Sequence, residues 1–452
     1  MSIQVLAQLR EGPLELGGCH AVPLFESVSQ DHVLRLVQLA RLRDPALAPS
    51  GLHRWHRILD PMDRCPVSLA RLLADTPGVT TVSLQTRGAL PPSVPTPVRP
   101  DPGPVSDPGP VSDPYGLDVA TVRRFPGGCG EGVAVAVVEQ GWRLDEAGRA
   151  LHPALPEHVR KLPWGRSHAP SAWHGMRTLG VLAAQPRPEG GLVEGIAWGC
   201  GPIWLVAEST GAAWAPADAL LMAIERLRHT PGGILLIEAQ LPVLRLFCRG
   251  APSWTEEDSS LQRAWSRLYI DAVGAYGPWE ASAPLFQLIR LATALGIVVV
   301  QAAGNGYTNL SDLQVDRIGP GGEPVGERVG SRDSGAILVS AANADRTQGL
   351  AWNHGARIDV FAPGQGIPSI DDPETGDGLY TETFSDTSAS AAVIAGAAAV
   401  VQGLATHVRG RPMGPRELRR LLRHQGTPLV EGDDIVGVLP NLPAIAGSLG
   451  VG

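Results

Sequence analysis

The 452-residue sequence predicts an α/β fold with a mostly parallel sheet, preceded by a small α+β N-terminal domain. Three observations lead there. From about residue 117, short continuous Val/Ile/Leu runs alternate with helical stretches, the mark of strands buried on both faces. Residues 1–90 form a separate strand–helix–strand–helix–strand pattern. Between the two lies proline-rich chain that cannot build a core. The domain reading is therefore 1–90, a linker at 91–116, and a larger domain at 117–447.

In the first unit, Val5 to Leu9 reads as a strand. Ser29-Gln30-Asp31 caps a helix with Val33, Leu36, Val37 and Ala40 on one face. A short strand at Trp55–Leu59, a helix from Ser68 to Ala74 closed by Pro77-Gly78, and a strand from Val79 to Leu84 complete it. Ten prolines fall within residues 91–114, and Asp-Pro-Gly-Pro-Val-Ser occurs at 101–106 and again at 107–112. Proline removes backbone donors and favours extended chain, so the segment reads as a solvated spacer.

In the larger domain the strand candidates are Val133–Val138, Ile203–Val206, Ile234–Ile237, Ile297–Val300, Ile337–Ala341 and Ile358–Val360. Helices such as Ala217–Arg228 and Leu285–Leu295 fall between them. In such folds, sites gather at the carboxyl ends of the strands.

Four segments place reactive side chains at those ends. Val133–Val138 ends in Glu139-Gln140-Gly141-Trp142. Trp173-His174-Gly175 opens a helix rich in small residues. Ile297–Val300 leads through Gln301-Ala302-Ala303-Gly304 to Asn305. Phe384-Ser385-Asp386-Thr387-Ser388 opens a long small-residue helix. A serine at a helix N-terminus sits near free N–H groups and the positive end of the helix dipole, where a hydroxyl can attack a carbonyl and the oxyanion is stabilised. Each segment alone has an ordinary explanation: a loop charge, a cap, a turn, an N-cap serine.

Together and in this order they resemble the subtilisin-like serine proteases, the subtilases, over roughly residues 117–445. The resemblance implies a three-layer subtilisin-like sandwich and hydrolysis of peptide bonds. It puts Glu139 at the acid position, His174 at the base, Ser388 at the nucleophile and Asn305 at the oxyanion position. It also implies substrate binding along Glu238, Ala239 and Gln240 and along Ala302, Ala303 and Gly304. Gly195-Ile196-Ala197 resembles a further family segment, and residues 241–284 hold an insertion. Residues 1–90 resemble a subtilase pro-domain, which would make the chain a zymogen inhibited by its own N-terminal domain and cut near residues 85–116. α/β-Hydrolases present their nucleophile first, in a Gly-x-Ser-x-Gly elbow that is absent here.

Several positions depart from the family pattern. Glu139 stands for the usual aspartate, and either carboxylate can orient the imidazole if the backbone retreats by a methylene. The sequence Glu-Gln-Gly-Trp resembles a bacterial subgroup with glutamate there. Asp386 stands for a glycine, crowding the turn and adding negative charge near a developing oxyanion. Glu238-Ala239-Gln240 stands for Ser-Leu-Gly. Glu238 would either line the cleft and favour a basic substrate residue, or be a buried structural glutamate bonded to backbone. A catalytically silent subtilase fold used for binding or sensing is the alternative function, and an esterase with the same triad is a third.

The remaining features set limits. A formal charge of −8 gives no support for nucleic acid as a partner. Five cysteines without metal-ligand spacing argue against a disulfide framework and against a cysteine metal site. The N-terminus lacks a basic start followed by an apolar core, so a cytoplasmic protein with no secretory signal is expected. The Ala389–Ala405 stretch reads as a buried helix and not a membrane span. No cofactor or metal is expected. Calcium supports many subtilases, but Asp371-Asp372 and Asp433-Asp434 read as solvated loops, not a ligand set.

Overall fold

The computed structural model describes residues 3–10, 15–48, 51–86, 113–186, 193–211, 214–242, 276–313, 315, 317–319, 325–349, 351–374, 376, 378–430 and 436–451. Its centre is a seven-stranded, wholly parallel sheet. In spatial order the strands are Val360–Pro363, Ile337–Ala342, Val298–Ala302, Ile234–Ile237, Val135–Glu139, Ile203–Ala207 and Val159–Lys161. Side chains alternate across each strand, so both faces need cover. Val135, Val137, Ile234, Leu236, Val298 and Val300 enter one core, with the helices Ala172–Ala183 and Asp386–Arg409. Ala136, Val138, Leu235, Ile237 and Val299 enter the other, with the helices Pro216–Leu227 and Ala283–Ala294. This double burial is why the strands read as unbroken apolar runs.

The helix Asp386–Arg409 is long and apolar enough to cross a bilayer, yet 94% of its apolar window is buried inside the protein. Its alanines and glycines let it lie close against four sheet strands. Gly410, at φ +67°, ends it.

The N-terminal unit is a five-stranded antiparallel sheet in the order Arg317–Ile318, Val79–Thr86, Ile3–Leu9, Trp55–Leu59, His20–Pro23. Ser29 caps its first helix, Gln30–Arg43, by accepting the His32 N–H. The second helix, Pro66–Ala74, packs on Val5, Ala7 and Leu9. Leu6, Trp55, Val33 and Leu36 face the opposite way and join the core of the Pro216–Leu227 and Ala283–Ala294 helices. Polar contacts fix this docking. Asp218 accepts the Glu26 and Ser27 N–H groups at 3.1 and 2.8 Å, His32 Nε2 meets Glu225 at 2.6 Å, and Trp55 Nε1 donates to Gln287 at 3.0 Å.

Three strands of these two sheets were not foreseen. His20–Pro23 and Val159–Lys161 are short edge strands without an apolar run, and Arg317–Ile318 pairs with a segment more than two hundred residues away. The strands expected at Ile297–Val300 and Ile358–Val360 start one or two residues later and run further. The insertion opens with Leu241–Pro242 paired to Tyr276–Gly277, and the helix Ala283–Ala294 begins within its last two residues. Both proline-rich hexapeptides, Cys248 and Asp433-Asp434 lie outside the described residues.

Asp371 and Asp372 correct an expectation. They are buried, not solvated: Asp371 takes two hydrogen bonds from Arg177, at 3.0 and 2.6 Å, and Asp372 accepts from Arg143 at 3.1 Å. Guanidinium partners from distant segments offset the cost of removing these carboxylates from water.

Candidate active site

Three adjacent strands of the sheet end in glutamates: Glu139, Glu208 after Ile203–Ala207, and Glu238 after Ile234–Ile237. The Glu208 N–H donates to Glu139 O at 3.0 Å and the Glu238 N–H to Val138 O at 3.2 Å, so the three lie side by side along one sheet edge. All three side chains are buried.

Glu139 Oε2 stands 2.5 Å from His174 Nδ1, while Oε1 accepts the Gln140 N–H at 2.6 Å. His174 is the third residue of its helix and is held by aromatic edges on two sides. Trp173 lies 5.4 Å away and Phe384 5.6 Å away, centroid to centroid. Gly175 follows because nothing larger fits: a Cβ there would sit 2.1 Å from Gly141 O. Gly175 thus lets the histidine helix meet the backbone of the turn after Glu139, and Gly141 lets that turn meet the backbone of His168.

Asn305 follows Gly304, whose φ of +99° and contact with Tyr276 O exclude a side chain. Asn305 Oδ1 accepts the Thr387 hydroxyl at 2.9 Å and the Thr387 N–H at 3.3 Å. That fixes the amide orientation and leaves the Nδ2 donors without a described partner. Gln240 braces the same junction, its Oε1 accepting the Asn305 N–H at 3.2 Å and its Nε2 donating to Thr387 Oγ1 at 3.4 Å. Ala239, Gln240, Ala302, Ala303 and Gly304 are all buried behind this wall.

Ser388 is third in its helix. The Asp386 N–H is taken by Gly364 O at 2.8 Å and the Thr387 N–H by Asn305, whereas the Ser388 N–H falls among those with no intrahelical acceptor. No hydrogen bond joins Ser388 to His174 among the described contacts. The polar side chain facing the Ser388 hydroxyl is Glu238, and the approach stops short of a well-formed hydrogen bond.

Asp386 adopts φ +70°, which explains why a glycine suits this position. Its carboxylate does not crowd the turn as expected. It turns to accept the Trp352 indole N–H at 2.9 Å, and burial raises its pKa.

Glu238 is buried, as one expectation had it, but without the backbone bonds that went with it. It is 2% exposed, yet neither carboxyl oxygen bonds backbone. Burial, with the charge of Glu139 added, pushes its pKa well above the usual carboxylate range, which weakens any pull on a basic substrate residue. Burial likewise pushes Glu208 up to about 8, with Glu139 acting in the same direction. Donor atoms of Glu139, His174 and Glu238 lie within 4.8 Å of one another, the one such grouping among the described residues. Thr387 and Glu208 were missed in the sequence. Glu208 could have been found, since it ends its strand as Glu139 ends its own.

A serine on a helix N-terminus, an imidazole bonded to a buried carboxylate and an anchored amide are arranged on a parallel sheet in the manner of one protease class. The sequence profile described as the Subtilase family matches residues 130–437, and the chain belongs to that family. No curated protein matches. Among solved structures, the chain is similar to the patellamide maturation protease PatA at 18% identity and TM-score 0.47, covering 71% of this chain and 98% of that one. A protease from Pseudoalteromonas arctica PAMC 21717 is similar at 18% identity and TM-score 0.48, covering 74% and 94%.

Proposed function

We propose that the chain is a serine endopeptidase working through Ser388, His174 and Glu139. Ser388 Oγ attacks a peptide carbonyl as His174 Nε2 takes its proton, with Glu139 holding Nδ1–H toward itself. The Asn305 amide and the Ser388 N–H bind the oxyanion. His174 then gives its proton to the leaving amine, and water, activated by the same imidazole, releases the acyl group. The observation that carries the reading is the buried 2.5 Å Glu139–His174 contact, which fixes one tautomer and one ring orientation. The peptide would lie extended beside Glu238–Gln240 and Ala302–Gly304. These steps call on no metal or cofactor, and the working place proposed is the cytoplasm.

The N-terminal unit is proposed as an inhibitory pro-domain. Its support is the docking on Asp218, Glu225 and Gln287, which lie on the two helices covering one sheet face.

The silent-scaffold reading draws on one observation, the missing hydrogen bond between His174 and Ser388. Resting sites often tighten only around substrate, so that gap does not decide the matter. A fluorophosphonate probe does. Wild type should be labelled at Ser388 and should cleave peptides, and Ser388→Ala should do neither. Peptide cleavage by Ser388→Ala at the wild-type rate would sink the proposal.

A further inference from the structure

Glu238 is costly where it stands. It is almost fully buried, neither oxygen has a hydrogen-bond partner, and it lies beside a second carboxylate. Its surroundings are rigid, because Gln240, two residues on, is bonded to both Asn305 and Thr387. The groups that face it come from several elements. They are Glu139 on the neighbouring strand, His174 at its helix start, and Ser388 at the head of the long helix. Glu208 lies beyond Glu139, and Asp386 precedes Ser388 with its carboxylate turned to Trp352. An acid near both the proposed base and the proposed nucleophile stands close to the reacting atoms.

We propose that Glu238 is a fourth active-site group, a carboxylic acid that leaves the Ser388 hydroxyl to His174 while protonated and withdraws it when ionised. This rests on the nucleophile reading above. In the neutral form, the Ser388 O–H proton passes to His174 Nε2 as the Oγ–carbonyl bond forms, and Glu238 keeps its own proton throughout. In the ionised form, the carboxylate accepts the Ser388 O–H and holds it away from the imidazole. It also places a negative charge beside the forming oxyanion, where charge is most unfavourable. Burial and the charge of Glu139 both favour the neutral form, so the working state persists above the pH at which an ordinary carboxyl ionises, and the silent state lies at higher pH.

The test is the rate of fluorophosphonate labelling of the full-length protein from neutral to strongly alkaline pH. Wild type is compared with Glu238→Gln and Glu238→Ser, and folding of each is checked by melting. Wild-type labelling should fall about tenfold per pH unit once Glu238 ionises. In both variants the alkaline fall should be gone, whatever their rate at neutral pH. A folded variant that retains the wild-type alkaline limb overturns the proposal. Failure of both variants to fold would assign Glu238 to structure and overturn it too. Absence of labelling in wild type at every pH would instead reject the nucleophile reading itself, a distinct outcome.

Discussion

Thr387 holds Asn305. Its hydroxyl and its backbone N–H both donate to the same amide oxygen, at 2.9 and 3.3 Å, and so fix the orientation of the amide. An oxyanion donor is valuable only if its orientation is set before the reaction. Asn305→Ala should therefore lower kcat by about 10²–10³ with little change in KM. Thr387→Val, which keeps the N–H contact and loses the hydroxyl, should lower kcat by roughly tenfold. In an Asn305→Ala background the same change should do almost nothing, because both act through one amide. Steady-state kinetics on the four proteins of that cycle checks this, and additive losses would refute the coupling.

Asp386 combines strain with a compensating bond. A left-handed conformation costs a non-glycine residue about 1–2 kcal/mol, and the bond to the Trp352 indole returns about 1 kcal/mol. Asp386→Gly should leave unfolding stability nearly unchanged, since it loses both. Asp386→Ala keeps the strain without the bond and should be the less stable of the two by about 1 kcal/mol or more. Denaturant unfolding ranks them, and an alanine variant as stable as the glycine variant would contradict the backbone account.

The Arg177–Asp371 pair ties the His174 helix to the strand Ile367–Ile370, which pairs with Tyr380–Phe384 just before the Ser388 helix. Both side chains are almost wholly buried. Removing one partner leaves a stranded charge, so Asp371→Ala should cost about 3–5 kcal/mol. Arg177→Met with Asp371→Leu should recover much of that loss. Thermal melts of the single and double variants make the comparison, and a double variant no better than Asp371→Ala would count against it.

Glu208 sets an expected pH dependence. Its pKa is raised on folding to about 8, so between the ordinary carboxylate range and about pH 8 the folded state holds a proton that the unfolded state has released. Stability should therefore fall as pH rises through that window and level off above it. Glu208→Gln should remove this fall, gaining on wild type by up to a few kcal/mol toward pH 8. Unfolding curves at a series of pH values would show the two converging at low pH. A constant gap at all pH values would mean the carboxyl is not the cause.

Much of this was legible in the sequence because it is written locally. Continuous apolar runs located the central strands, since strands buried on both faces need them. Ser29 marked a helix start. Glu139, His174, Asn305 and Ser388 were legible because each ends a strand or opens a helix, and a parallel sheet gathers such ends on one side. The strand Arg317–Ile318 was not legible, because its pairing depends on a partner far along the chain. Asp371 and Asp372 were misread for the same reason: nothing near them in sequence discloses Arg177 or Arg143.

By itself, the sequence determined the fold class and which side chains could reach the carboxyl edge of the sheet, since periodicity and strand ends are local properties. Only the tertiary structure decided their company. It brought Glu139 to His174, Thr387 to Asn305 and Trp352 to Asp386, and it left Glu238 without a partner beside Ser388. Burial and charge act through space over a few ångströms, and the residues that supply them lie tens to hundreds of positions apart.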